Sequence, residues 1–97
     1  MTQIATKQNG CFFYTVQSSG QIKQDECKNL FTQINDIPRT EFKDQKWFVL
    51  VVENVQTVAP NFCSVLCRIS SLAEQQGMKF ALVGDLKLGS LITKKCH

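Results

Sequence analysis

The chain has 97 residues, of which 43% are hydrophobic and 20% are charged, values typical of one globular domain rather than of a disordered or multidomain protein. Eleven Lys and Arg against eight Asp and Glu give a formal net charge of +3, and the basic residues are scattered, so nucleic-acid binding is not expected. The sequence has no apolar stretch near the roughly 20 residues of a membrane-spanning helix, and its first residues lack the pattern of a secretory signal. We therefore expect a cytoplasmic protein with no direct insertion into a membrane.

The five cysteines are expected to be reduced. An odd number cannot all pair within one chain, and nothing in the sequence points to an oxidising compartment. Cys63 and Cys67 are four residues apart, but the only second pair available to complete a zinc site is the terminal Cys96-His97. No metal and no cofactor is predicted.

The first predicted element is a β-hairpin. Asn9-Gly10 is a strong hairpin signal, because a type I′ turn needs positive φ at both central residues. This pair separates residues 3–7 from the β-rich run 11–16. Ser18-Ser19-Gly20 is predicted to end the second strand.

A helix and a strand are predicted next. Four apolar residues fall on one stripe with a 3.6-residue period: Cys27, Leu30, Phe31 and Ile34. Pro38 is expected to end this helix, because the residue before a proline is disfavoured in the helical region. After a polar connection, residues 47–52 (WFVLVV) are continuously apolar, which is typical of a strand buried on both faces, and residues 53–57 lead out of it.

The second helix has the clearest pattern in the chain. Its apolar stripe consists of Phe62, Val65, Leu66, Ile69, Leu72 and Ala73. Pro60 suits a helix start and Gly77 a helix end, whereas Cys63 and Cys67 lie off the stripe. Residues 78–83 form another predicted strand, followed by a short last helix carrying Leu88, Leu91 and Ile92.

The order of these elements predicts the α/β class. We expect a single small domain whose central mixed sheet has four to five strands and is covered by helices. The N-terminal hairpin supplies the antiparallel part of this sheet. A right-handed βαβ crossover between residues 47 and 83 supplies the parallel part.

Three segments carry a family resemblance. They are residues 19–22 (SGQI) before the first helix, residues 48–55 (FVLVVENV), and residues 74–83 (EQQGMKFALV). In this order and spacing the chain resembles a STAS domain, the fold of bacterial anti-sigma factor antagonists, from about Gln3 to Lys95. The resemblance implies one STAS-like domain over residues 1–97 and a non-catalytic role in protein interaction.

The sequence departs from the STAS pattern at its regulatory position. The family has Asp-Ser-Ser/Thr-Gly before the second helix, and a partner kinase phosphorylates the first hydroxyl residue. The matching residues here are Ala59, Pro60, Asn61 and Phe62. Because proline has no hydroxyl, the resemblance implies that the usual phospho-switch is lost at Pro60. Thr57 and Ser64 are nearby hydroxyl residues, but neither occupies the matched position.

The resemblance also implies where a partner would bind. The predicted partner-binding residues are Ala59, Pro60, Asn61, Phe62, Cys63, Ser64 and Cys67. An alternative interpretation is that Pro60 only sets the direction in which the helix begins and that Phe62 begins the apolar stripe of the core. The expected partner is an anti-sigma factor kinase-like regulator or a transporter subunit.

Other functions remain open at this point. The chain could be an accessory STAS subunit of a lipid-transport ABC system, a small thiol-dependent enzyme, or a domain that binds a small ligand at the carboxyl ends of its parallel strands. A thiol-dependent enzyme is disfavoured because the sequence has no C-x-x-C motif and its one histidine is the last residue. No catalytic residue is predicted.

Overall fold

A four-stranded mixed sheet with two helices forms the architecture of this α/β domain, as a computed structural model describes it for residues 2–84. In chain order the elements are β1 (Thr2–Gln8), β2 (Cys11–Ile22), α1 (Gln24–Asn35), a short 3-10 helix (Arg39–Phe42), β3 (Trp47–Val58), α2 (Phe62–Gln75) and β4 (Lys79–Val83). The strand order is β1-β2-β3-β4. β1 pairs with β2 antiparallel, and β2, β3 and β4 pair in parallel. The predicted fold class is confirmed, while the predicted last helix lies outside the described residues.

The β1–β2 hairpin turns at the predicted dipeptide. Asn9 and Gly10 have φ values of 53° and 77°, the left-handed region that a type I′ turn requires. The register is regular from Gln8 opposite Cys11 to Thr2 opposite Gln17. The hairpin prediction is therefore confirmed.

β2 and β3 both continue past their predicted ends. Residues 18–20 do not terminate β2. Instead the β2–β3 register shifts there, and pairing resumes with Gln21 opposite Thr57 and Ile22 opposite Val58. Gly20 takes a φ of 119°, which a residue with a Cβ rarely adopts, so this glycine supports an irregularity within a strand. Residues 53–57 belong to β3 because they pair with the continuation of β2.

The core lies between one face of the sheet and the two helices. Phe12, Tyr14 and Val16 of β2 alternate toward this face, and the aligned residues Phe48, Leu50 and Val52 of β3 do the same. The buried residues of the two helices are Cys27, Leu30, Ile34, Phe62, Val65, Leu66, Ile69, Leu72 and Ala73. Every one of these helix residues belongs to a predicted apolar stripe.

The connection between α1 and β3 contributes more than its polar composition predicts. α1 ends at Asn35, before Pro38 as expected, but residues 39–42 then form the 3-10 helix. Phe42 in this helix is buried, and its ring lies edge-on to Phe12 with a centroid distance of 5.1 Å. A single apolar residue has no periodicity, and so this core contact was not predicted from the sequence.

On the opposite face of the sheet, large apolar side chains reach solvent. Ile4, Trp47 and Val83 keep 48%, 39% and 47% of their surface exposed. Val49 is buried on this face, and thus most of the run 47–52 is buried as predicted. Among residues 2–84, neither helix has the length and apolar character needed to cross a bilayer.

Candidate docking site at the start of the second helix

The turn at residues 59–61 joins the end of β3 to the start of α2. The Ala59 N–H donates a hydrogen bond to the carbonyl oxygen of Ile22, the last residue of β2, at 2.8 Å. Asn61 Nδ2 donates to the carbonyl oxygen of Gln24, the first residue of α1, at 3.3 Å. The two helix starts are therefore held side by side at the edge where the parallel strands β2 and β3 end.

Asn61 is the N-cap residue of α2, but its side chain is used elsewhere. Its amide nitrogen bonds to α1, and no side-chain cap hydrogen bond is made within α2. Its Oδ1 is buried and has no hydrogen-bond partner. Local main-chain bonds begin the helix instead, with the Phe62 N–H donating to Ala59 O at 3.0 Å and the Val65 N–H donating to Asn61 O at 3.1 Å.

The seven predicted partner-binding residues separate by exposure. Pro60, Ser64 and Cys67 are exposed, and Ala59, Asn61 and Cys63 are half-buried. Phe62 is fully buried in the core cluster, and it therefore presents no surface to a partner. The interpretation that Phe62 begins the apolar stripe of α2 is confirmed.

The cysteines differ in state as well as in exposure. Cys63 is disulfide-bonded, so the expectation that all five cysteines are reduced is wrong at this position. Among the described residues, Cys11, Cys27 and Cys67 carry free thiols. Burial raises the pKa of the Cys27 thiol, and the nearby Glu26 carboxylate raises it further. A raised pKa lowers the thiolate fraction near neutral pH, which is unfavourable for a nucleophile.

A groove of about 330 Å³ runs between the two helices beside the exposed face of α2. Its lining comes from both helices: Phe31, Asn35, Cys67, Arg68, Ser71, Leu72 and Gln75. The Arg68 guanidinium carbon lies 4.7 Å from the centroid of the Phe31 ring, which is within the range of a cation–π contact. We call this feature the interhelical groove.

Of the predicted site residues, only Cys67 lines the interhelical groove. Phe31 was assigned to the apolar stripe of α1, and this assignment is partly correct. Phe31 is half-buried and lies at the edge of its stripe, where the exposed Arg68 covers it. Their contact depends on how the two helices pack, which neither helical pattern contains.

The described part of the chain offers no metal site. Within residues 2–84, no group of three or more His, Cys, Asp or Glu residues is placed to hold a metal ion. The two cavities described for this domain also lie away from the carboxyl ends of the parallel strands, where a ligand was considered from the sequence.

Comparison with solved structures finds chains that are similar to this one in fold. A crystal structure of a protein called Mglu matches 81% of this chain with a TM-score of 0.62 at 11% sequence identity. A second Mglu crystal structure, of its native form, matches 82% with a TM-score of 0.63 at 9% identity. This chain spans only 18% and 23% of the length of those two chains, and identities this low show a shared fold alone.

No protein-family model and no curated protein sequence matches the chain.

Proposed function

We propose that this domain is a non-catalytic protein-interaction module of the STAS type, which binds a protein partner through the exposed face of α2. The carrying observation is the interhelical groove beside that face, where exposed α2 residues adjoin a partly buried aromatic ring. The succession of hairpin, helix, strand, helix and strand also agrees with the order on which the STAS resemblance depends. Binding would use Pro60, Ser64 and Cys67 together with the groove.

The groove has the composition of a small recognition surface. Arginine and aromatic side chains are enriched where binding energy concentrates in protein interfaces. Among residues 2–84, Arg68 is the one charged residue that lines the groove, and its guanidinium already lies over the Phe31 ring. A carboxylate of the partner could bind this guanidinium without breaking the stacking, because the N–H groups point outward in the plane of the group. The partner surface is thus expected to be acidic.

Docking in this proposal does not depend on the usual phospho-switch. Pro60 occupies the position where the STAS pattern has a phosphorylated hydroxyl, and it is exposed at the turn before α2. Binding would then be constitutive or controlled from the partner's side. The partner classes that fit the proposal are an anti-sigma factor kinase-like regulator and a subunit of a lipid-transport ABC system.

A thiol-dependent enzyme finds less support than docking. Cys63, at the start of α2, is disulfide-bonded, and the Cys27 thiol has a raised pKa in the core. Cys67 is free and exposed in the middle of α2, and no group of the described residues is placed beside it as a catalytic base.

Site-specific crosslinking can identify the partner. A photo-crosslinking amino acid placed at Ser64 is expected to capture one protein in cells that produce the domain. The same group at Gln8, an exposed residue of the edge strand β1, serves as the control and should not capture that protein. A kinase-like regulator or a transporter subunit captured from Ser64 identifies which version of the proposal applies.

Calorimetry with the purified partner then tests the surface. Arg68→Glu and Cys67→Glu are expected to weaken binding by about tenfold or more, because a like charge would face an acidic partner. Lys43→Glu reverses the charge of an exposed residue outside the groove, and it should leave the affinity within about twofold. Unchanged affinity in both α2 variants would remove the proposal.

A further inference from the structure

A second cavity, of about 430 Å³, lies between the β1–β2 hairpin and the turn that follows α1. We call it the hairpin slot. In the β1–β2 register, Ala5 lies opposite Tyr14 and Lys7 opposite Phe12, so these four side chains share the face of the sheet on which the helices pack. No residue of β1 belongs to the buried core cluster, since the helices pack over the other strands. Within residues 2–84, the slot lies beside β1, where neither helix covers the sheet.

Rigid apolar groups form the interior of the hairpin slot. Phe12 and Tyr14 on its floor are buried, and Ile37 closes the side toward α1. The Phe12 ring is held between the Phe42 and Phe48 rings, with centroid distances of 5.1 Å and 5.4 Å. Natural ligand sites are typically largely preformed, mostly apolar and of about 300–1,000 Å³, and the slot has these properties.

Polar groups occur at the two ends of the slot. At one end the Tyr14 hydroxyl donates a hydrogen bond to Gln3 Oε1. At the other end Lys7 of β1 forms an ion pair with Glu41 of the 3-10 helix, and both side chains remain close to half exposed. Gln3 and Lys7 are four residues apart along β1, a separation of about 13 Å at roughly 3.3 Å per residue. The slot therefore has an apolar middle between a neutral polar end and a charged end.

The charged end can bind an anion through Lys7. Arg39 does not take part, because its guanidinium donates hydrogen bonds to the main-chain carbonyl oxygens of Asn35 and Ile37 and to Asn35 Oδ1. The Lys7 ammonium has three N–H donors, and it can bind a second anion while keeping Glu41. The net charge of +3 on the whole chain also favours anionic ligands.

We propose that the hairpin slot is a binding site for a small aromatic anion. Its ring system would lie against Phe12 and Tyr14, and its carboxylate or sulfonate group would bind Lys7 at the rim. Aromatic walls favour a flat aromatic body over an aliphatic chain of the same size. This site is separate from the interhelical groove and does not depend on the function proposed for it.

Two fluorescent probes that differ only in the anion can test this site. 1-Anilinonaphthalene-8-sulfonate carries the sulfonate, and N-phenyl-1-naphthylamine has the same ring system without it. The sulfonate probe is expected to bind at one saturable site and more tightly than the neutral probe. Lys7→Met should lower the affinity for the sulfonate probe by about tenfold and leave the affinity for the neutral probe unchanged, because only the sulfonate binds the ammonium. An equal loss of affinity for both probes would overturn the assignment of Lys7 as the group that binds the anion.

Variants on the two faces of β1 locate the probe. Ala5 is exposed and lines the slot, so Ala5→Phe should fill the slot and abolish binding of both probes. Ile4→Lys changes the neighbouring residue, which faces the opposite side of the sheet, and should have no effect. Glu41→Gln removes the carboxylate that competes for Lys7, and it should raise the affinity for the sulfonate probe. Loss of binding in Ile4→Lys with retention in Ala5→Phe would overturn the proposal, as would the lack of saturable binding.

Discussion

Asn54 Nδ2 donates a hydrogen bond to the main-chain carbonyl oxygen of Ser18 at 2.9 Å, joining β3 to β2 where the two strands lose register. Asn54 has a φ of 58° within β3, a left-handed conformation that asparagine tolerates better than most residues. On the other strand, the Gly20 N–H donates to Ser18 Oγ at 3.1 Å. Side chains thus supply hydrogen bonds that the irregular ladder does not.

Replacement of Asn54 should separate its two contributions. Asn54→Gly keeps access to positive φ but loses the bond to Ser18, and it should lower the free energy of unfolding by about 1 kcal/mol. Asn54→Ala loses the bond and also places a Cβ in the left-handed region, so it should cost about 1 kcal/mol more. Urea unfolding measures both. Gln56→Ala, at an exposed site in β3, should stay within about 0.5 kcal/mol, and an alanine variant at Asn54 no worse than this control would contradict the assignment.

The buried Tyr14 should make stability fall at alkaline pH. Burial raises the pKa of the Tyr14 phenol above its usual value, so folding favours the neutral form. This contribution to stability is complete below the unfolded-state pKa of about 10 and is lost as the pH rises through the higher folded-state pKa. Tyr14 is the only tyrosine in the chain, and phenolate absorbance in the native and the urea-unfolded protein therefore measures both pKa values directly.

Tyr14→Phe is the matched variant for this effect. In this variant, the part of the fall in stability at alkaline pH that comes from Tyr14 should disappear. Loss of the hydrogen bond to Gln3 should lower the free energy of unfolding by about 0.5–1.5 kcal/mol at neutral pH. Some decline should remain, because the pKa of Cys27 is raised in the same direction. A native phenol that titrates at or below its unfolded-state pKa would refute the expectation.

Cysteine labelling should distinguish Cys67, Cys27 and Cys63. With a maleimide and no reductant, exposed Cys67 should react fast, and buried Cys27 should react on the order of a thousandfold more slowly, because it becomes accessible only when the fold opens. Cys63 should react only after reduction, even in urea. Peptide mapping by mass spectrometry measures each site, and labelling of Cys63 in unreduced, unfolded protein would contradict its disulfide.

Core and surface positions at the start of α2 should respond differently to substitution. Phe62 is fully buried, and Phe62→Ala should therefore lower the free energy of unfolding by about 3–5 kcal/mol. Ser64→Gln and Cys67→Ser change exposed side chains, and each should stay within about 0.5 kcal/mol. Thermal unfolding compares all three. A Phe62→Ala variant as stable as the surface variants would be inconsistent with a core role for Phe62.

Features with a local signature were predictable from the sequence. The turn at Asn9-Gly10 depends on the conformational freedom of two adjacent residues, and the buried faces of both helices follow from a 3.6-residue period. The α/β class follows from the order of such elements. Each of these predictions uses residues that are close together in the chain.

Features that depend on distant partners were not predicted. Residues 18–20 have the composition of a strand end, but they continue β2 because Asn54 bonds to Ser18 across the sheet. Phe31 and Arg68 come from different helices, and they meet only once those helices pack. The disulfide at Cys63 was not predicted either. An odd number of cysteines shows only that they cannot all pair within the chain, and it does not show whether a particular cysteine is paired.

The parallel pairing of β2 with β3 has a consequence for the folding of this domain. The β1–β2 hairpin joins neighbouring segments through a two-residue turn and can form rapidly. The β2–β3 ladder instead pairs Cys11 with Trp47. The entropic cost of closing the loop between these residues must therefore be met before the pairing adds stability. The rate-limiting step should therefore be the docking of β3 onto a preformed hairpin. Substitutions along the β2–β3 ladder should slow folding, whereas those confined to β1 should mainly speed unfolding.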